Sequence, residues 1–587
     1  MNRDQPYQPS RRAQLEIPAE FTEPAVKAWL AGLPMADTDR ASDILLHGLR
    51  VLSRTAGLSP RARVAQLEGI RATLLALLDP AEPVSSSQED ATFPLREAQD
   101  NRAHRAYNLC IELARAYESL AMAPDQSDRL GATLGLRALV LHRAMEGYGQ
   151  ALLQLLENYQ STPARYWRTT YDLYREAVKY HVDQERLAGE TVCETIYAQF
   201  MRIILLSQAN LYRFRPRDMR QAYIVLGAMS EKAELSDSPV RDNQRASFYL
   251  DLAVDAPPQA IQSLHGQGPV ERRYVMTQLL VKWAAKYYAD AGNRRIGASR
   301  LSKTVLSQLL KSLSLPDRRR SKRVLDTGEY HIHLGIAALT NRLSGHSHLE
   351  LKPLATAEHV YLSDGDWLKI PGYTLQEIDY NEAEIPGEKR FARDDRQVGW
   401  LLGNAKEAVK DSDIWPTVVT HGAENSTDYA PQLDVWLLNS SAQGYCLLWT
   451  DKSISAARVG ELVGVEKAGA DLHLGVVRWM NHDKSGDLML GIELLSPHVE
   501  GGLVRPLNRA TAGEKALYVS AVSRLGQPAM VLTPPGHFDT GLVIEWSGER
   551  GKRVLRLDGV QSATPAYTAY IVTAVARNSV ISANQSA

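Results

Sequence analysis

Leu472-His473-Leu474-Gly475-Val476 alternates apolar and other side chains over five residues, and this period of two sets the reading of the C-terminal half. In an extended chain successive side chains point to opposite faces, so Leu472, Leu474 and Val476 form one apolar stripe. Leu542, Ile544 and Trp546 repeat the pattern, and Leu555 and Leu557 share a face with Val554 on the other. Turn chemistry punctuates these runs, as in His482-Asp-Lys-Ser-Gly486 and Gly548-Glu-Arg-Gly551. Short, half-buried antiparallel strands in succession imply a β-barrel.

Upstream of Leu315-Pro316 the period lengthens. Trp167, Tyr171, Tyr174 and Val178 are spaced by four, three and four, which places them on one helical face. Pro163 is expected in the first turn of that helix, where a missing N–H costs nothing. Similar periods cover Arg137–Tyr159, Thr191–Ala209, Pro216–Lys232 and Val270–Asp290, with breaks at Ala123-Pro-Asp-Gln-Ser127 and Ser236-Asp-Ser-Pro239. The expected fold is α+β and multidomain: an all-α helical bundle or repeat-like scaffold over 1–310, a β-barrel over 311–500, and a β-rich region over 501–587. That last region would form a second small barrel or extend the first. No fixed period supports a true solenoid. Pro83–Asp90 reads as a flexible linker. At about 343–433 the period weakens and Pro, Gly, Asp and Glu accumulate, as in an insertion within the barrel.

A chain of 587 residues exceeds what one core organises, and its 44% apolar and 23% charged residues suit several independent cores. A net charge of −1 argues against a general binder of DNA or RNA, which would carry a basic surplus. Any anion recognition must be local. No run of about 18 apolar residues occurs, so no membrane span is expected. Met1-Asn-Arg-Asp-Gln-Pro6 lacks the layout of a secretory signal, and a cytoplasmic location is expected. Cys110, Cys193 and Cys446 have no metal-type spacing and read as buried apolar side chains.

Two motifs carry recognition chemistry. Arg318-Arg319-Arg320-Ser321-Lys322-Arg323 lies between the last helical and the first strand-like segment. Guanidinium forks match both phosphate oxygens and the O6/N7 edge of guanine. Asn439-Ser440-Ser441-Ala442-Gln443-Gly444 is expected in the turn between Asp434–Leu438 and Tyr445–Thr450. There Asn439 and Ser441 alternate and share a face, while Gly444 permits a positive φ and close backbone approach.

Together, Arg318-Arg319-x-x-x-Arg323 and Asn439-x-Ser441-x-x-Gly444 resemble the paired signature of PilZ domains, Arg-Arg-x-x-x-Arg and (Asp/Asn)-x-Ser-x-x-Gly. Gly460-Glu-Leu-Val-Gly-Val465, Leu474-Gly-Val-Val-Arg-Trp479 and Leu490-Gly-Ile-Glu-Leu494 are similar to the later strands of that family. The resemblance spans about Asp317–Pro497. It implies a six-stranded barrel that binds cyclic di-GMP, with Arg318, Arg319 and Arg323 clasping guanines and phosphates and Asn439, Ser441 and Gly444 shaping the barrel surface. It implies no catalysis and no cofactor, and an effector in motility, pilus or exopolysaccharide control that acts on a protein partner through the helical domain. One departure is the separation of the motifs: more than a hundred residues lie between Arg323 and Asn439. An alternative keeps the barrel without the ligand, as a scaffold acting only in protein–protein interaction. Truncated motifs would favour it, and both are complete here.

Other groups carry less. His331-x-His333 and His346-x-His348, with His359 nearby, form two pairs without the third and fourth convergent ligands a metal needs. Asp394-Asp395 and Asp411-x-Asp413 read as solvated surface of the insertion. No phosphate loop, nucleophile elbow or His-Glu-x-x-His occurs, so neither a metal site nor catalytic residues are assigned.

Overall fold

The computed structural model describes residues 17–575 apart from 19–20, 56, 79–90, 123–133, 191, 242–243, 265–270, 290–294, 297–298, 301, 315–323, 326, 345–431, 442, 468–470, 508–512, 523–526 and 537. Pro83–Asp90 and all but the ends of the 343–433 insertion therefore lie outside the described residues. Among the described residues two compact units are present. One holds those up to Ser314 except Thr92–Pro94, and the other holds Thr92–Pro94 with those from Val324 onward.

The first unit is mostly helical: α1 Glu23–Ala31, α2 Thr38–Arg54, α3 Pro60–Leu78, α4 Glu97–Met122, α5 Leu134–Glu157, α6 Tyr166–Lys179, α7 Ile196–Gln208, α8 Pro216–Met229, α9 Gln278–Ala289 and α10 Lys303–Ser314. Local signals set several starts. The Asp37 side chain accepts from the Arg40 N–H at α2, Thr195 accepts from Ala198 N–H at α7, and Pro216 opens α8. In α6, Trp167, Tyr171 and Tyr174 are buried, and the Tyr174 ring stacks on Phe200 of α7 at 4.1 Å. The aromatic seam stops there. Val178 is 42% exposed and the buried residue of the last turn is Ala177. Pro163 precedes the helix, because Arg165 adopts a left-handed conformation (φ 67°) and α6 starts only at Tyr166.

One stretch read as helical is not. Val270–Asp290 contributes a strand, Arg272–Met276, before α9 begins. It joins a sheet in the order β1-β6-β4-β5, where β1 is Glu234–Ser236, β4 Phe248–Asp251, β5 Gln259–Ala260 and β6 Arg272–Met276. Two short ribbons, β2 Val240–Arg241 with β3 Gln244–Arg245 and β7 Arg295–Ile296 with β8 Ser299–Arg300, also belong to this unit. A short, fully buried strand has no period to tell it from a buried helix turn, and the end of β6 is such a run: Tyr274, Val275 and Met276 are all buried.

The second unit contains two closed six-stranded barrels. Around the first the order is β10-β11-β14-β13-β12-β9, with β9 Gly328–Leu334, β10 Leu433–Ser441, β11 Gly444–Trp449, β12 Leu462–Glu466, β13 His473–His482 and β14 Leu488–Ser496. Around the second it is β15-β16-β17-β20-β19-β18, with β15 Val499–Pro506, β16 Glu514–Val519, β17 Met530–Thr533, β18 Val543–Gly548, β19 Gly551–Ala563 and β20 Thr568–Ala574. The strands after Pro497 thus close a barrel of their own. Ile332, Val435, Leu437, Leu447 and Trp449 fill the first interior, and Val504, Val531, Ile544, Trp546 and Leu557 the second.

A short helix, α11 Gly335–Leu343, follows β9 directly. Its Ile336 and Leu339 join Leu462, Leu472, Leu474 and Val476 of the first barrel and Leu517, Val519, Met530, Leu532, Tyr567 and Ala569 of the second in one apolar core. This cover explains why all five residues of β12 are buried. Arg342 at the end of α11 donates to both oxygens of Glu466 at 3.1 and 2.9 Å, and His333 donates to the same carboxylate at 3.0 Å.

Burial alone would raise the Glu466 pKa, but the hydrogen bonds from His333 and Arg342 outweigh it and hold the carboxyl below its ordinary value. The stability Glu466 supplies is therefore complete above the unfolded value of about pH 4.3 and is lost as pH falls through the lower folded value. Urea unfolding at pH 7 and on the acid side should show a shallower acid loss in Glu466→Gln than in the parent chain. Parallel acid limbs would count against this linkage.

Candidate functional site

The outward face of β10, β11 and β14 owes its composition to one irregularity. Trp436 pairs with Leu448 and Leu437 with Leu447, but Asn439, not Leu438, pairs with Cys446. Regular alternation from the buried Leu433, Val435 and Leu437 would send Asn439 and Ser441 into the barrel. The extra residue, Leu438, reverses the alternation and puts Asn439 and Ser441 on the same outer face as Trp436. They lie in the last turns of the β10 ladder rather than in the loop, a step back from the sequence expectation.

Ser441 Oγ donates to the Gly444 carbonyl at 3.3 Å and accepts from the Gln443 N–H at 3.4 Å, tightening the β10–β11 reversal. Gly444 is needed for a different reason from the one expected. Its φ is not positive; instead a Cβ would collide with the Ile492 carbonyl oxygen of β14. Close approach of two backbones excludes a side chain there.

The same face carries two tryptophans. Trp436 is 51% exposed. Trp479 of β13 lies across Gly491 of β14, where any Cβ would strike the indole. The pairings Asn439–Cys446, Cys446–Gly491 and Gly491–Trp479 set these residues in one row across four strands. Arg478, the bulged residue of β13, forms an ion pair with Glu493 beside that row. Inside the barrel, the Tyr445 hydroxyl and His473 Nδ1 share a hydrogen bond of 2.7 Å, and Tyr330 lies 6.2 Å from the Tyr445 ring.

Arg318, Arg319 and Arg323 lie outside the described residues. The residue that follows them, Val324, is described and pairs with Ser440. Val324 N donates to Ser440 O at 2.8 Å, and Ser440 N donates to Val324 O at 3.0 Å. Val324 is 63% exposed and Leu325 88% exposed. Sequence reasoning missed Trp436 and Val324 as members of this surface. Alternation from Leu433 and Val435 marks Trp436 as outward, whereas nothing in the sequence signals the Val324 bridge.

The histidine pair of β9 is engaged by carboxylates: His331 with Asp434 at 2.8 Å and His333 with Glu466. His346, His348, His359, Asp394, Asp395, Asp411 and Asp413 lie outside the described residues. Among the described residues no group of three or more His, Cys, Asp or Glu is placed to hold a metal. Cys110, Cys193 and Cys446 are buried free thiols, and burial pushes the Cys110 and Cys193 thiols up.

A six-stranded barrel bearing Asn-x-Ser-x-x-Gly on its outer face, with an arginine run leading into its first strand, defines a class of nucleotide-sensing domain. Residues 247–500 match the family model of the middle PilZ domain of the cyclic-di-GMP receptor FimW, and residues 24–240 match that of its N-terminal domain. The chain belongs to this PilZ-domain receptor family. The cyclic-di-GMP receptor FimW of Pseudomonas aeruginosa is 25% identical over 578 residues, covering 91% of this chain and 88% of that one. No solved structure matches the chain. Among the described residues no helix is long and apolar enough to cross a membrane.

Gly444→Ala should destabilise the protein by about 1–3 kcal/mol, as forced overpacking does, because β11 and β14 must part. Gly559→Ala, where a Cβ meets nothing within 4 Å, should stay near the parent in the same urea titration. Equal midpoints for both variants would remove the close-approach argument.

Proposed function

We propose that this protein is a cytoplasmic receptor for cyclic di-GMP, read on the outer face of the first barrel and without catalysis or cofactor. Arg318, Arg319 and Arg323 take the guanine edges and phosphates from one side. Asn439, Ser441 and Gly444 form the surface that takes the other side of the ligand. The observation that carries this reading is the bridge between Val324 and Ser440. It ties the residue directly after the arginine run to the residue between Asn439 and Ser441, despite the long separation of the motifs in sequence. The FimW of Pseudomonas aeruginosa, named for cyclic di-GMP, supports the same ligand.

Trp436 and Trp479 add stacking surface to this face. Purine bases stack on aromatic side chains for about 1–3 kcal/mol each, and cyclic di-GMP offers two guanine planes. Contact with a protein partner is assigned to the helical unit. Ligand can gate that contact only by favouring one arrangement of the protein over another. The downstream process is one of motility, pilus or exopolysaccharide control.

Titration calorimetry of cyclic di-GMP into the full-length chain, with GTP and cyclic di-AMP as controls, tests the reading. Selective, saturable binding is expected. Arg319→Ala and Arg323→Ala should each weaken it by about 2 kcal/mol or more, the scale of lost charge-assisted bidentate bonds. Unchanged affinity in both variants would take the arginine run out of the site. No binding by the parent chain would make the barrel a scaffold. In the same assay Trp436→Ala should cost about 1–3 kcal/mol and Trp436→Phe less, since a smaller ring still stacks.

A further inference from the structure

The two barrels share one strand topology. Numbering the strands of each barrel in chain order, both run first, second, third, sixth, fifth, fourth around the circumference. The hairpin between second and third strands has the same register in both. Ser440 pairs with Tyr445 in the first barrel, and Val522 pairs with Gln527 in the second, each spanning five residues. At that register Asn439, Ser441 and Gly444 fall on Ala521, Ser523 and Gly526 in the sequence. The second barrel therefore keeps the Ser-x-x-Gly part of the motif and has alanine where the first has asparagine.

The arginine half is absent for a structural reason. The chain leading into β15 is β14 itself, which is committed by its hydrogen bonds to β11 and β13. Its residues Leu488–Ser496 contain no arginine.

The outer face tells the rest. Leu448 and its partner Trp436 correspond to Met530 and its partner Val519, once the bulged Leu438 is discounted. On the first barrel this face of the second, third and sixth strands carries the half-exposed Trp436. On the second barrel Leu517, Val519, Met530, Leu532 and Ala569 of the equivalent face are buried against β12, β13 and α11. Thr340 Oγ1 of α11 also donates to the Ala516 carbonyl of β16 at 3.3 Å.

We infer that the C-terminal barrel is a second barrel of the PilZ type whose ligand face has become an intramolecular docking face, leaving the first barrel alone to take nucleotide. It clamps α11 against the first barrel through that face. Its lack of nucleotide binding follows from the loss of the asparagine, the arginine run and the exposed surface together. That the first barrel takes the nucleotide rests on the receptor reading above, whereas the docking face stands without it.

Thiol labelling of the full-length chain with a maleimide separates the two statements. The three native cysteines are buried and give a low background. Trp436→Cys and, on the second barrel, Val560→Cys sit at exposed positions and should label fast. Val519→Cys and Leu532→Cys, two reporters of the docking face, should label on the order of 100-fold more slowly, because reaction must await local opening. Saturating cyclic di-GMP should slow Trp436→Cys and leave the other three unchanged. Fast labelling at both 519 and 532, in chains whose melting curves match the parent, would overturn the docking face. Ligand-dependent slowing at either of them would overturn the single nucleotide-binding barrel. Slow labelling at 519 and 532 with no ligand effect at 436 would sustain the docking face while removing nucleotide from the first barrel.

Discussion

One extra residue in β10, Leu438, decides what the first barrel shows to solvent. A strand has a strict period of two, so a single insertion exchanges the faces of everything beyond it. Upstream of the bulge, Leu433, Val435 and Leu437 point inward and fill the core. Downstream, Asn439 and Ser441 point outward beside Cys446 and Gly444. The bulge thus lets one strand serve as core on one half and as an outward polar face on the other. Gly444 brings β14 close, Gly491 makes room for the Trp479 indole, and the polar side chains then stand on a face flanked by aromatic rings.

Closure of that barrel across a long intervening sequence is energetically unremarked for the chain. β9 and β10 pair over five register positions although more than ninety residues separate Leu334 from Leu433. The entropy of closing a loop grows only with the logarithm of its length, roughly 0.6 kcal/mol per doubling, so a ladder of backbone bonds and a shared core outweigh it. On its other edge β9 pairs with β12, and the helix that follows it, α11, is held between the barrels by Ile336 and Leu339 and pinned at its end by the Arg342–Glu466 pair. The second barrel consequently contributes to the first by covering β12 and α11, faces that would otherwise leave apolar side chains in water.

Much of this was legible in the sequence, and the exceptions have physical causes. The stripes Leu472–Leu474–Val476 and Leu542–Ile544–Trp546 announced strands because each alternates, and the turns at His482–Gly486 and Gly548–Gly551 fell between paired strands. The aromatic seam of α6 was legible for the same reason at helical period. β6 was not, because Tyr274, Val275 and Met276 are buried on both sides and carry no period. The bulge was not legible either, since Leu437 and Leu438 are chemically alike and only the partner strand says which is the extra residue. Gly444 was assigned to the right role, close approach, together with a positive φ that the backbone does not adopt. The two-sided burial of β12 depends on a barrel far downstream, and no local pattern could report it.

The connection between the Asn439–Gly444 face and the inter-barrel core is covalent and short. Val324 sits on Ser440, β9 follows within a few residues, and α11 begins at Gly335 with no intervening loop. Along this path His331 bonds Asp434, while His333 bonds Glu466, which also holds Arg342. A nucleotide that merely settles on a preformed face changes nothing at α11, however tightly it binds, because equal affinity for two states shifts neither. An interaction that moves Val324 is carried through the Ser440 bridge and the short lead into β9. Binding energy spent on displacing the Val324–Ser440 bridge would therefore be convertible into a signal at α11, whereas binding energy spent on a face that keeps its shape would not.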